Sequence, residues 1–388
     1  MTEPTEQAPL AGIRVLDLSR VLAGPWCTQI LGDFGADVLK IEAPGRGDDT
    51  RAWGPPWLDG ESAYYLSCNR NKRSLAVDLA DPQGAALVRR LAAKADILVE
   101  NFKLGGLARY GLDWPALRAV NPRLVYCSIT GFGQTGPYAA RPGYDFVVQA
   151  MGGLMSITGE ADGPPLKVGV AMADLSTGLN ATIAIMMALR HAERTSEGQH
   201  IDISLLDTQI AMLANQALSY LVGGVAPMRM GNAHPTVVPY RLFETSDGAI
   251  VVAVGNDGQF RTLCRVLGAD DLAVDERFAT NGARVVNRAP LEARLQEIFS
   301  DWNSVRLSEA LIAAGVPAGP VNDIGQILED PFVKARGAIH AFARDGGAVP
   351  SVAFPAKLSA TPATMRAAPP RLGENGSDGL NDWLGEGG

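Results

Sequence analysis

The chain is poor in the groups that most enzyme chemistries rely on. Its 388 residues hold four cysteines (Cys27, Cys68, Cys127, Cys264) and four histidines (His191, His200, His234, His340), all far apart in sequence. No pair of them has disulfide or metal-ligand spacing, which argues against a zinc site or a disulfide framework and fits a reducing compartment. There is no P-loop and no G-x-G-x-x-G, and VLDLSRVLAGP offers one glycine where a dinucleotide loop wants three. That argues against a nicotinamide cofactor. No uninterrupted apolar run reaches the roughly 18 residues of a membrane helix. MTEPTEQAPL carries acids and no apolar core, so it reads as neither signal nor transit peptide. Positive charge is also scarce: 34 Lys and Arg against 42 Asp and Glu leave a net charge of −8, which argues against nucleic acid or an anionic membrane as partner. These absences predict a cytoplasmic protein with no metal and no tightly bound cofactor.

What is present suffices for two domains with real cores, since 47% of the chain is hydrophobic. In the first half, the β-rich runs IRVLDLS, DVLKIEAP, RSLAVDL, ILVEN and LVYCSIT alternate with helical periodicity around TQILGDFGA and PQGAALVRRLAAKA. Alternation at this spacing predicts parallel βαβ units. HIDISLLDTQIAMLANQALSYLV reads as a strand running into one long linker helix over 200–224. LFETSDGAIVVAVGN reads as a hairpin about Asp247 and Gly248, and three helical segments follow it. The fold class expected is α/β, with a Rossmann-like large domain (1–199, completed by a return segment 326–388) and a smaller α+β domain over 225–325.

Asp174 stands out within KVGVAMADLSTGLNATIAIMMALR, where an apolar strand-like run meets an apolar helix. A strand-to-helix turn exposes a side chain to the crevice of a doubly wound sheet, a position that suits a nucleophile. Asp is also a preferred helix N-cap, so a purely structural role is open from this segment alone.

Five ordered blocks spread over nearly the whole chain narrow the choice. They are PLAGIRVLDLSRVLAGPW through GDDTRAWGPP, YYLSCNRNKRS, ADILVENFKLGGLARYGL, YCSITGFGQTGPYAARPGYDF and MADLSTG. Together they resemble the class III CoA-transferases, a family that includes formyl-CoA transferase, carnitine CoA-transferase and α-methylacyl-CoA racemase. GNAHPTVVPY and GVPAGPVND add a likeness to the branch that exchanges CoA between succinate and glutarate. The resemblance implies coenzyme A or acyl-CoA as substrate, and an interlocked homodimer with each active site at the dimer interface.

The resemblance also assigns residues. Val21, Ala23, Asn101, Phe102 and Arg109 correspond to positions that hold the nucleotide in the family. Trp53, Tyr64 and Tyr144 match aromatic positions of its active site, and Asp145 a neighbouring acid. Leu22 replaces a Gln that touches the small acyl group of formyl-CoA enzymes, which argues against formate or oxalate. The four-glycine loop of those enzymes is missing, and GNAHPTVVPY, with Gly231 and His234, sits in the comparable region. An acidic protein that binds anionic CoA must concentrate its cations locally, and Lys72, Arg73, Lys103, Arg109 and Arg141 are the candidates. A dicarboxylate leaves a second carboxylate to be read by an Arg fork, for which Arg51, Arg46 and Arg229 are available.

The expected chemistry is nucleophilic. Asp174 attacks the donor thioester to give an aspartyl anhydride and then an aspartyl-CoA thioester. An ionised carboxylate needs no activating base near pH 7. Backbone N–H groups at Gly24, Gly178 and Gly231 are candidate oxyanion donors. Two alternatives remain. An epimerase of the α-methylacyl-CoA racemase kind needs two bases, and the position of its His is Tyr144, whose phenol titrates near 10 when unperturbed. A non-catalytic acyl-CoA-binding member would not need Asp174 in an intact ADLSTG.

Overall fold

The alternating apolar runs pair into one parallel sheet within a computed structural model that describes residues 7–344 and 347–385. Its strands are β1 (Arg14–Asp17), β2 (Asp37–Glu42), β3 (Lys72–Ala76), β4 (Ile97–Glu100), β5 (Val125–Thr130) and β6 (Gln199–Ser204). They lie side by side in the order β3-β2-β1-β4-β5-β6, every neighbouring pair parallel. The winding reverses between β1 and β4, and ligands of open parallel sheets bind beyond the strand ends at such a reversal.

The sheet belongs to the larger of two compact units, formed by the described parts of Met1–Leu154, Lys167–Gly224 and Pro331–Gly388. On one face pack α1 (Ala23–Asp33) and a 24-residue helix, α5 (Met172–Thr195), which share a core of Val15, Cys27, Leu31, Val99, Ile129, Ala181, Ile185 and Leu189. Gly178 lets the two helices close up, because a Cβ there would sit 2.6 Å from the Ala23 carbonyl oxygen and against Trp26. On the other face lie α2 (Pro82–Ala92), α3 (Trp114–Val120) and the helix Gly376–Leu384, whose Trp383 is buried and donates its indole N–H to Asp37 at 2.7 Å.

Three sequence expectations change here. KVGVA forms no strand: the chain runs irregularly to Met172, where α5 begins. The long helix after β6 is two, α6 (Leu205–Met212) and α7 (Ala214–Gly223), broken where Ala214 takes φ 46°. And α5 is long and apolar enough, by length and composition alone, to cross a membrane. Its buried stripe instead lies in the unit's core, the usual fate of an apolar helix that small residues allow to pack closely.

The second unit comprises Met155–Leu166 and Val225–Asp330. An antiparallel pair, β7 (Tyr240–Thr245) and β8 (Gly248–Ala253), turns through Ser246 and Asp247 and is extended by β9 (Ala318–Pro320). The helices α8 (Asp257–Leu267), α9 (Arg288–Ser300) and α10 (Ser304–Ala313) close one apolar core with it, around Phe243, Phe260, Leu263, Leu295 and Phe299.

Candidate active site at the sheet reversal

The turn Ser19–Leu22 leaves β1 and the segment Asn101–Leu104 leaves β4, so the reversal brings them side by side. Asn101 ties them together. Its side-chain oxygen accepts the Arg20 N–H at 2.9 Å and its amide donates to the Arg20 carbonyl at 2.7 Å. Val21 stands at φ 69°, a left-handed conformation that costs a β-branched residue roughly 1–3 kcal/mol and persists only where surroundings over-determine it. Such strain collects at functional sites. Beside this turn opens a cleft of 310 Å³ lined by Arg20, Val21, Leu22, Ala23, Asn101, Phe102, Lys103, Arg141, Tyr144 and Asp174. The structure thus gathers Asp174 with Val21, Ala23, Asn101 and Phe102, the positions that the family resemblance assigned to the nucleotide.

Asp174 occupies the third position of α5. It is not the N-cap, which is Ala171, and no side chain of that residue caps the helix. The capping falls to Asp145, at the start of α4 (Asp145–Met151), whose carboxylate accepts the N–H groups of Ala173 at 2.7 Å and Asp174 at 3.3 Å. Burial pushes the Asp174 carboxyl up to about 7, and the adjacent Asp145 charge adds to the rise. The expectation of a fully ionised carboxylate at neutral pH is therefore corrected. Desolvation with no ion-pair partner among the described residues leaves a carboxylate that is more basic than usual, hence more nucleophilic once ionised.

Trp53 and Tyr64 meet edge to face, ring centroids 5.2 Å apart. The Tyr64 phenol is pushed up to about 12, first by burial and then by the Asp174 charge, which ties this pair to the nucleophile's surroundings. Tyr144 is 64% exposed at the cleft. A second cleft of 300 Å³ shares Arg20 and Phe102 with the first and adds Arg46, Arg109 and Val77. Four arginines, Arg20, Arg46, Arg109 and Arg141, therefore line the two clefts, which share Arg20 and Phe102.

Other assigned residues are spent elsewhere. Lys72 is fully buried and bonds to Asp17 at 3.1 Å, Asn69 and the Pro25 carbonyl. Arg73 pairs with Asp37 and Asp382. Neither lines these clefts, because strand β3 turns both into the unit's own ion pairs. Arg51 forks onto Glu42 at 2.9 and 2.8 Å, and also reaches Glu61, the Tyr65 hydroxyl and the Pro370 carbonyl. A guanidinium so engaged has no fork left for a substrate carboxylate. Gly178, in mid-helix, has its N–H in the helical ladder, whereas Gly24 lies in the first turn of α1, outside it. Gly231 (φ 58°), His234 and Arg229 belong to the second unit. There His234 accepts the Thr236 N–H at its ring and Arg229 donates to the Glu160 carbonyl at 3.3 Å.

Three residues escaped the sequence reading. Arg20 pairs with Asp49 at 3.1 Å and stacks over Phe102, with its Nε buried and unpartnered among the described residues. Asp48 accepts the Val21 N–H. Glu100 ends β4, bonds to the Phe102 N–H at 2.8 Å and is pushed up to about 7 by burial. The available signal was charge at strand ends: an acid closing the apolar run ILVE, and an Arg just after DLS.

Comparison with known proteins bears on the family of the chain. Residues 10–376 match CoA-transferase family III. A succinate–glutarate CoA-transferase of Agrobacterium fabrum is 53% identical over 379 residues, covering 96% of this chain and 95% of that protein. The human succinyl-CoA:glutarate CoA-transferase is 44% identical over 377 residues, covering 97% and 86% respectively. A crystal structure of a CaiB/BaiF family protein from Brucella suis, 50% identical, superposes with a TM-score of 0.87 over 97% of this chain and 99% of that one.

Proposed function

Because the chain belongs to CoA-transferase family III, we propose that it moves CoA from a dicarboxyl-CoA donor, succinyl-CoA above all, to glutarate or a related dicarboxylate, with Asp174 as the nucleophile. The observation that carries this reading is one uncompensated carboxylate in the cleft at the sheet reversal, amid the residues expected to hold CoA.

The ionised Asp174 carboxylate attacks the donor carbonyl, forming a C–O bond as the C–S bond breaks and CoA leaves as thiolate. The thiolate then attacks the Asp174 carbonyl, which releases succinate and leaves an aspartyl-CoA thioester. The acceptor acid repeats both steps in reverse and regenerates the free carboxylate. First-turn N–H groups of α1, at Ala23 and Gly24, supply donors for the tetrahedral oxyanions. Arg20, Arg46 and Arg109 take the CoA phosphates, since their guanidinium groups line the adjoining walls.

The homodimer belongs to this proposal. In the larger unit the large apolar side chains of Phe146, Met151, Leu179, Ile183, Met187, Ile210 and Leu221 are exposed, and exposed apolar surface is what a partner covers. A second copy of the chain, interlocked as in the family, is the cover.

The test is a single incubation of succinyl-CoA with isotopically labelled glutarate, followed by mass spectrometry and hydroxylamine trapping. Labelled glutaryl-CoA and a hydroxamate on the peptide bearing Asp174 are expected. Failure to form labelled thioester with any dicarboxylate refutes the reading. Deuterium entering the α-carbon of a 2-methylacyl-CoA in heavy water, without CoA exchange, makes Asp174 a base instead.

A further inference from the structure

The turn Ser19–Val21 carries six backbone polar groups, and side chains hold all of them. The Ser19 N–H goes to Asp17 and its carbonyl accepts the Lys40 ammonium at 2.7 Å. Asn101 takes both groups of Arg20, as described above. The Val21 N–H lies 3.2 and 3.3 Å from the two Asp48 oxygens, and its carbonyl faces the Cys68 thiol at 3.6 Å. A turn bound this way has no regular ladder to set its shape. Its conformation is whatever the distant side chains impose.

Val21 is the residue that needs imposing, since its φ of 69° is one that a valine avoids when free to choose. Asp48 meets it from the loop after β2. That carboxylate is itself fixed: it caps Thr50 at 3.0 Å, and Lys40 Nζ lies 2.9 Å away, both side chains wholly buried. Lys40 therefore touches both ends of the turn, Ser19 directly and Val21 through Asp48. A lysine serving only to fill β2 would need neither contact.

We infer that Asp48, held by Lys40, is a positioning residue for the acyl-CoA site: it keeps Val21 in the left-handed conformation that aims Leu22 and Ala23 into the cleft beside Asp174. The inference rests on the reading of that cleft as the acyl-CoA site. It assigns Asp48 no contact with substrate, and it predicts coupling to one residue only. Glycine adopts φ near 69° without steric penalty, so a chain with glycine at position 21 has much less need of Asp48.

The experiment is a double-mutant cycle on the full chain, with D48N, V21G and the double variant, read by calorimetric Kd for free CoA and by kcat and KM for transfer. D48N is expected to weaken CoA binding about tenfold or more in the wild-type background and less than about threefold in the V21G background. Its effect should fall on KM more than on kcat. Equal factors in the two backgrounds overturn the inference, as does a D48N protein of lowered Tm and unchanged CoA affinity. If D48N does not fold alone, recovery of folded protein by V21G supports the inference and failure to recover it overturns it. Wild-type protein that binds CoA but transfers it between no dicarboxylates refutes the proposed reaction and leaves the cycle standing, whereas wild-type protein that binds no CoA overturns both.

Discussion

Two groups of carboxylates lie within the larger unit and are treated in opposite ways. Under the turn after β1, Asp17, Glu42 and Asp48 are buried among Lys40, Lys72 and Arg51. Burial raises the Asp17 carboxyl, yet Lys72, Lys40 and the hydroxyl donors Ser19 and Thr28 together outweigh it and hold the group at about 2. In the cleft, Asp174 is desolvated, the Asp145 charge adds to the rise, and the group stands at about 7. The same side chain in one unit thus spans about five pH units, and the lysines and hydroxyl donors around Asp17 against the like charge beside Asp174 make the difference. Paired carboxylates hold shape. The unpaired one is left reactive at a cost in stability, as expected of a site shaped for function.

The sharpest break of this comparison is Asp174→Asn. Loss of the nucleophile is expected to lower transfer at least about a thousandfold, some 4 kcal/mol of barrier, while CoA binding persists. Stability should move the other way. A folded pKa raised above the unfolded value near 3.8 means that ionising Asp174 destabilises the fold as pH rises through about 7. The variant is neutral throughout, so its Tm should exceed that of the wild type above pH 7 and match it near pH 4. Turnover within about tenfold of wild type would show that Asp174 is no nucleophile.

Asp17→Asn tests the opposite group. It leaves Lys72 and Lys40 short of a buried counter-charge and should cost about 3 kcal/mol or more, read by chemical denaturation. In the wild type this contribution is present above the unfolded value near 3.8 and is lost as pH falls through about 2. A variant as stable as wild type at pH 7 would mean that the pair positions the chain without stabilising it.

Arg51→Met separates structure from substrate reading at a residue whose position alone suggested the latter. Five hydrogen bonds into the fold predict a lower Tm and no selective rise in KM for the dicarboxylate over CoA. A selective rise for the dicarboxylate would return Arg51 to the pocket.

The pH profile gives the finest measure. kcat/KM should climb with pH, half-maximal near 7, as Asp174 ionises. Asp145→Asn removes the like charge and should move that midpoint down by less than about one unit, because burial is the larger cause. An unmoved midpoint would assign the shift to burial alone.

Much of this was legible in the residues. Apolar runs of strand length alternating with helical periodicity announced five of the six strands of the sheet, and β6 followed from HIDIS. Val21, Ala23, Asn101, Phe102 and Asp174 were recognised by motif, and the cleft gathers them. Irregular backbone misled: KVGVA has the apolarity of a strand but no partner strand, and the break at Ala214 leaves no mark in an apolar helical pattern.

Periodicity is a local property, so the sequence by itself determined the strands, most helices and the family motifs. Charge pairing is a relation across space, and only the tertiary structure decided it. Lys72, Arg73 and Arg51 looked like anion readers until β1, β2 and the C-terminal segment brought Asp17, Asp37, Glu42 and Pro370 to them. Asp174 looked like an ordinary carboxylate until folding removed its water and placed Asp145 beside it. A buried charge must find a partner or shift its proton affinity, and which of the two occurs depends on neighbours that lie far away along the chain.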